Sequence, residues 1–220
     1  MRVVAKSIST SQIMRIKIEI DPKLRHIVGV GSLQAEHFFS HVNLFNEEYA
    51  TTFTKEMLAM EAMAQPMSIV IIDSTGGEVE SLASMVSSIE ASSKPVLTFC
   101  KGKAYSCGAY LLGFGSIGFR YASPNSTIMF HSMGSGAYGK PEDINVKSKA
   151  FSKLQQYWCE KLSIHCGHKD KDYFSKLLRD KGADIWMTPK EAKKHKLIDH
   201  IGIPSLEVEV TLNQKLGVIE

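Results

Sequence analysis

The run Ser68-Ile69-Val70-Ile71-Ile72 has no polar alternation, and four of its five residues are β-branched. It suits a strand buried on both faces, which is the habit of strands in parallel sheets. Parallel neighbours need a crossover of a dozen or more residues, usually helical. The sequence downstream supplies such crossovers. Leu82 to Ile89 predicts a helix closed by Lys94-Pro95, and Val96 to Cys100 predicts the next strand. Ser106 to Phe114 reads as helix, Arg120-Tyr121-Ala122 as a short strand, and Thr127 to Phe130 as another. A long helix is expected over about Glu142 to Ile164, its stripe formed by Phe151, Leu154, Trp158 and Leu162. Phe174, Leu177 and Leu178 continue the helical pattern. Thr188, Pro189 and Glu191 spell an N-cap, N1 and N3 of a further helix, and Leu197 to Ile201 returns to strand. Upstream, alternation over Ile13 to Ile20 predicts an edge strand or hairpin, His26 to Gly31 a short strand and Phe53 to Met63 a helix. Strands alternating with helices imply an α/β fold. A chain of 220 residues fits one domain with a sizeable core.

Candidate functional residues fall at the C-terminal ends of these strands, where ligands gather in open α/β sheets. Tyr105-Ser106-Cys107-Gly108 places a hydroxyl where a strand-like segment turns into a helix-like one. His131 follows the Thr127–Phe130 strand, and Asp184 comes later. Serine, histidine and aspartate are the nucleophile, base and orienting acid of acyl transfer. Asp180, four residues upstream of Asp184, competes for the acid role. Gly76-Gly77 brings backbone N–H groups close with no Cβ in the way, and the Cys107 N–H lies next to the nucleophile. Together they could serve as oxyanion donors.

Each residue also has a plainer reading. A lone serine at a helix start is more often an N-cap, a lone histidine is more often a satisfied core or surface group, and a Gly-Gly pair is often only a turn. His165-Cys166-Gly167-His168 mimics metal-ligand composition, but its spacing is cramped and no distant pair completes a tetrahedral site. The end of the long helix, with Gly167 at C′, accounts for it. The Gly-x-Ser-x-Gly elbow of α/β-hydrolases is absent, because no glycine stands two residues before Ser106. The order serine, histidine, aspartate also differs from that of those hydrolases.

Bulk properties narrow the field. A net charge of +3 argues against nucleic acid as a partner, and Lys190, Lys193, Lys194 and Lys196 read as a solvated helix face. No apolar stretch reaches the ~18 residues that span a bilayer. The N-terminus lacks the apolar core of a secretion signal, so Cys100, Cys107, Cys159 and Cys166 are expected to be reduced thiols in a cytoplasmic compartment. No cofactor or metal is implied.

Four ordered blocks resemble the Clp protease proteolytic subunit (ClpP) family. Asp73-Ser74-Thr75-Gly76-Gly77-Glu78-Val79 is similar to its Asn-Ser-Pro-Gly-Gly-x-Val segment. Gly102-Lys103-Ala104-Tyr105-Ser106-Cys107-Gly108-Ala109 is similar to its nucleophile segment, and Ile128-Met129-Phe130-His131 to its Ile-Met-Ile-His segment. The stretch from Asp184 to Ala192, followed by Leu197-Ile198-Asp199, resembles its C-terminal motif. The resemblance covers roughly residues 65–203. It implies the ClpP/crotonase-like α/β fold of stacked ββα units, in a single peptidase domain over residues 1–220 with a handle region at about 134–165. It implies a serine endopeptidase with Ser106 as nucleophile, His131 as base, Asp184 as acid and the Gly77 and Cys107 N–H groups as oxyanion donors. It also implies two stacked heptameric rings, paired through the handle helix and enclosing the sites, with a hexameric ATPase (AAA+) unfoldase feeding them polypeptide. Three departures stand out. Residues 1 to about 64 match the family poorly, and the unfoldase-docking surface draws on that region. Ala183 stands where the family has arginine, and Ser132-Met133 follows His131 in place of Gln-Pro. These departures fit a phage- or plasmid-borne relative, working in its host's cytoplasm, or a specialised paralogue. Two other readings share the fold: a crotonase-type acyl-CoA enzyme that uses the oxyanion N–H groups without a triad, and a silent ring subunit that scaffolds an active paralogue or a capsid.

Overall fold

The computed structural model describes residues 13–14, 39–63, 65–132, 140–182 and 184–206. Two compact units are present. In the unit made of residues 1–38 and 204–220, β1 (Ile13–Met14) pairs in parallel with β9 (Ser205–Leu206), the last strand among the described residues. Beyond Ile13-Met14, the edge strand expected at Ile13 to Ile20 lies outside the described residues, as does the one at His26 to Gly31.

The unit spanning residues 39–203 is built on a seven-stranded sheet. Its strands are β2 (Ser40–Val42), β3 (Ser68–Ser74), β4 (Val96–Tyr105), β5 (Arg120–Ala122), β6 (Thr127–Phe130), β7 (Ile185–Met187) and β8 (His200–Ile201). The path β2-β3-β4-β5-β8 is parallel throughout. The sheet forks at β4. Thr98 to Cys100 pair with β5, whereas Lys103 to Tyr105 pair with β6, which in turn takes β7 antiparallel. From the sequence this strand is expected to end at Cys100. It runs five residues further because the fork supplies a second partner, and the exposed Lys101 and Gly102 mark the junction.

The helices are α1 (Glu47–Ala62), α2 (Val79–Glu90), α3 (Cys107–Gly113), α4 (Pro141–His165), α5 (Tyr173–Lys181) and α6 (Pro189–Lys194). Helix α1 begins two turns ahead of the expected Phe53, because Asn46 caps it by accepting from the Tyr49 N–H at 2.9 Å. Helix α6 carries the expected capping box: Thr188 accepts from the Glu191 N–H and Glu191 accepts from the Thr188 N–H. Lys190, Lys193, Lys194 and Lys196 are all exposed.

Helices α1, α2 and α3 bury Phe53, Leu82, Met85, Val86, Tyr110 and Leu111 beside Val70, Ile72 and Ala104 of the sheet. Each large side chain buried this way contributes roughly 1.5–3 kcal/mol. Burial on β3 is one-sided, contrary to expectation: Val70 and Ile72 are inaccessible, while Ile69 and Ile71 on the other face are half-buried. The stripe of α4 is also buried over only part of its length. Trp158 and Leu162 are buried, Phe151 and Leu154 half-buried, and residues 144–150 exposed, because the helix packs on the core through its second half. Leu197 and Ile198, read as strand, are instead buried in the turn after α6, and β8 starts at His200.

One buried ion pair had no sequence expectation. Arg120, 2% exposed, reaches Asp199 through Nε (2.9 Å) and Nη2 (2.6 Å). The Gly118 and Arg120 N–H groups donate to the same carboxylate at 2.8 and 3.1 Å. Burial pushes the Asp199 carboxyl up, but the Arg120 guanidinium and these N–H donors outweigh it and hold the group below its ordinary value. No helix among the described residues is long and apolar enough to cross a membrane.

Candidate active site

The sheet fork brings the candidate residues together. Tyr105 is in register with Met129 on β6, and the Ser106 N–H donates to the Met129 carbonyl at 2.9 Å. Ser106 and His131 therefore leave adjacent parallel strands side by side. On the other side of β6, Phe130 is paired with Ile185, so the next opposed pair is His131 and Asp184. Three strand ends deliver one side chain each to the same spot.

The Ser106 Oγ lies 2.8 Å from the His131 Nε2. The Asp184 Oδ1 lies 3.7 Å from the His131 Nδ1, within ion-pair range and longer than a hydrogen bond. The histidine side chain is 31% exposed and the aspartate 55%, so both are open to solvent. Asp180 sits in the last turn of α5, exposed, and among the described residues it makes no ion pair or hydrogen bond with His131.

Ser106 occupies the N-cap position of α3, yet its side chain makes no capping bond. Its backbone is at φ 54°, ψ −121°, and Ser106 and Lys196 are the only non-glycine residues with positive φ among the described residues. Such a conformation costs of order 1–3 kcal/mol and persists only where the surroundings enforce it. Here the β4–β6 ladder holds one side, and the Ala109 and Tyr110 N–H groups bond to the Ser106 carbonyl on the other, at 2.9 and 3.3 Å. The strain turns the hydroxyl away from the capping position and toward His131.

The loop after β3 packs against this turn. A Cβ on Gly76 (φ 99°) would lie 2.7 Å from the Ser106 Cβ and 3.2 Å from the Cys107 N. A Cβ on Gly77 would run into the Phe45 carbonyl oxygen. The loop is held by the Gly76 N–H donating to Ser74 Oγ at 3.0 Å and by the Glu78 N–H donating to the Phe45 carbonyl at 2.9 Å. Among the described residues, neither the Gly77 nor the Cys107 N–H donates to a backbone acceptor. The Cys107 thiol donates to the Gly77 carbonyl at 3.2 Å, tying the loop to the start of α3. Burial pushes this thiol up to about 11, so it stays protonated at neutral pH. Ser74 and the Cys107 side chain had no expected role. The sequence places Ser74 two residues before Gly76, a spacing that suits a local side-chain-to-backbone bond.

The His165-Cys166-Gly167-His168 segment ends α4, with Gly167 at φ 70°. Its side chains diverge: His165 bonds to the Gly115 carbonyl, His168 to the His195 carbonyl, and Cys166 lies 3.2 Å from the Arg120 Nη1. Among the described residues no group of three or more His, Cys, Asp or Glu is arranged to hold a metal ion.

A family model described as Clp protease matches residues 26–204, well over half of the chain. The match begins ahead of residue 65, where the resemblance in the motifs starts, and it spans every candidate site residue.

Proposed function

The chain belongs to the Clp protease family, and from that premise we infer that it is a serine endopeptidase acting through Ser106, His131 and Asp184. The mixed α/β architecture with its parallel sheet is consistent with the fold of that family. The observation that carries the assignment is the 2.8 Å contact between the Ser106 Oγ and the His131 Nε2 at a strained, non-capping serine. In this reading Nε2 accepts the serine proton as Oγ attacks the scissile carbonyl, and Asp184 faces Nδ1 and holds the ring with Nε2 toward the serine. The Gly77 and Cys107 N–H groups receive the oxyanion. A single such donor is worth about 2.7–4 kcal/mol in other hydrolases. His131 then gives its proton to the leaving amine, and water repeats the sequence on the acyl-enzyme. The 3.7 Å separation of His131 and Asp184 would close as the imidazolium forms, since catalytic hydrogen bonds tighten in the reacting complex.

The substrate class proposed is unfolded polypeptide, cleaved inside two stacked heptameric rings in the cytoplasm and delivered by an ATPase unfoldase. The family motifs support this assembly, and the exposed residues 144–150 of α4 offer the surface through which rings would pair. Ser106→Ala should abolish peptide hydrolysis and fluorophosphonate labelling while leaving the native mass unchanged. Undiminished labelling of that variant would refute the assignment.

A further inference from the structure

We propose that Trp186, braced by Tyr105 and Met129, selects the residue on the leaving-group side of the scissile bond and favours a large apolar side chain there. The inference rests on the serine-peptidase reading of the site. Tyr105, Met129 and Trp186 lie on one rung of the forked sheet, since Tyr105 is in register with Met129 and Met129 with Trp186. Burial alternates along both outer strands: Ile128 and Phe130 on β6, and Ile185 and Met187 on β7, face the core. Met129 and Trp186 therefore face the other way. Continued one residue past the strand ends, the same alternation leads to His131 and Asp184, whose side chains meet on that face. Met129 is two residues before His131, and Trp186 is two residues after Asp184. A two-residue step is roughly 6.5 Å, about the distance from a scissile bond to the side chain of an adjoining residue.

The rung is apolar and accessible. Trp186 is 56% exposed, and its ring meets Tyr105 edge-on at 5.1 Å between centroids, which fixes the orientation of both. A neighbouring charge, Lys103 on the same face of β4, lies 3.9 Å from Asp73. The side of the site follows from strand order. Of the oxyanion donors, the Gly77 N–H comes from the loop after β3, on one flank of β4, and the Cys107 N–H from the start of α3, whereas His131 and Asp184 come from the flank of β6 and β7. A carbonyl oxygen pointed at Gly77 and Cys107 leaves the departing nitrogen facing His131. The residue that begins with that nitrogen then passes over Met129 and Trp186.

The test uses peptides that differ only in the residue following the cleaved bond. The full-length protein should cleave those with Phe or Leu there about tenfold or more faster in kcat/KM than those with Gly, in the range that one apolar pocket provides. Trp186→Ala should collapse the ratio to within about twofold, and Trp186→Phe should keep most of it. A ratio that survives in Trp186→Ala, or an equal loss on every peptide, overturns the inference. So does a drop in native mass with the ratio intact, since Trp186 would then seat a second copy of the chain. Absence of Ser106 labelling in the wild-type protein would instead overturn the serine-peptidase reading itself. Labelling without a preference would overturn only the role of Trp186.

Discussion

Gly76→Ala isolates the contribution of the loop after β3, because one methyl group meets the proposed site from an element that carries none of Ser106, His131 and Asp184. At φ 99° an L-residue is strained by about 1–3 kcal/mol. The added Cβ would also sit 2.7 Å from the Ser106 Cβ, 2.9 Å from the Tyr105 carbonyl oxygen and 3.2 Å from the Cys107 N. At these distances something must shift, and relieving such overpacking costs about 1–3 kcal/mol. Two of these three contacts are backbone atoms of the β4–α3 turn, which the ladder to β6 holds in place. The loop therefore gives way and carries the Gly77 N–H with it. Loss of one oxyanion donor, about 2.7–4 kcal/mol, corresponds to a fall of 10²- to 10³-fold in kcat, with KM little changed. Fluorophosphonate labelling should slow in parallel, since the phosphonyl oxygen needs the same donors. Steady-state peptide hydrolysis measures the first effect and labelling rates the second. A variant that keeps its native mass and whose kcat stays within threefold of wild type would refute the placement of the oxyanion site between Gly77 and Cys107.

The choice of acid is tested by a pair of variants. Asp184→Asn should lower kcat by about 10⁴-fold, as the equivalent change does in other triads, while Asp180→Asn should change it less than threefold; the reverse order would move the acid to Asp180. The Arg120–Asp199 pair makes a stability prediction. Asp199→Asn leaves a guanidinium that is 2% exposed without its counter-charge and should cost about 3–5 kcal/mol, read as a lower Tm and denaturation midpoint. The Asp199 carboxyl is depressed on folding, so its contribution is complete above its ordinary range near 3.8 and fades as pH falls through the lower folded value. Acid unfolding followed by tryptophan fluorescence should accordingly be steeper below about pH 4 in wild type than in Asp199→Asn.

The parts of this molecule legible in sequence were those governed by local chemistry. The β-branched run of β3, the capping box of α6 and the helix stop at Gly167 each follow from a few adjacent residues. Ser106 and His131 were visible as residue types at strand ends, and Asp184 as a carboxylate further along the chain, with no strand expected beside it. Their convergence was not, because it depends on β4 changing partners from β5 to β6 midway along its length. Nothing local announces a fork. Lys101-Gly102-Lys103 read as the end of a strand because the pattern turned polar where the partner changed. The partnership of Arg120 with Asp199 was hidden for a similar reason: 79 residues separate the two, and neither has a distinctive neighbour in sequence. The strain at Ser106 is likewise tertiary, since Ser-Cys-Gly has no intrinsic preference for positive φ at its first residue.

The fork also explains why the site needs no long-range steering of its own. A strand register is chosen by the side chains it buries, and a slip by one residue exchanges the two faces. On β6 and β7 the buried set is Ile128, Phe130, Ile185 and Met187, none more than 7% exposed. Exposing any one of them forfeits roughly 1.5–3 kcal/mol, and a slip of either strand would expose two. An exposed His131–Asp184 contact at 3.7 Å contributes on the order of 1 kcal/mol or less and could not select a register by itself. The apolar face therefore fixes the alignment, and the opposition of His131 and Asp184 on the other face follows from it. Phe130→Ala should then damage peptide hydrolysis as well as stability, through the register it helps to hold, although its side chain is buried in the core against Tyr110 and Phe174.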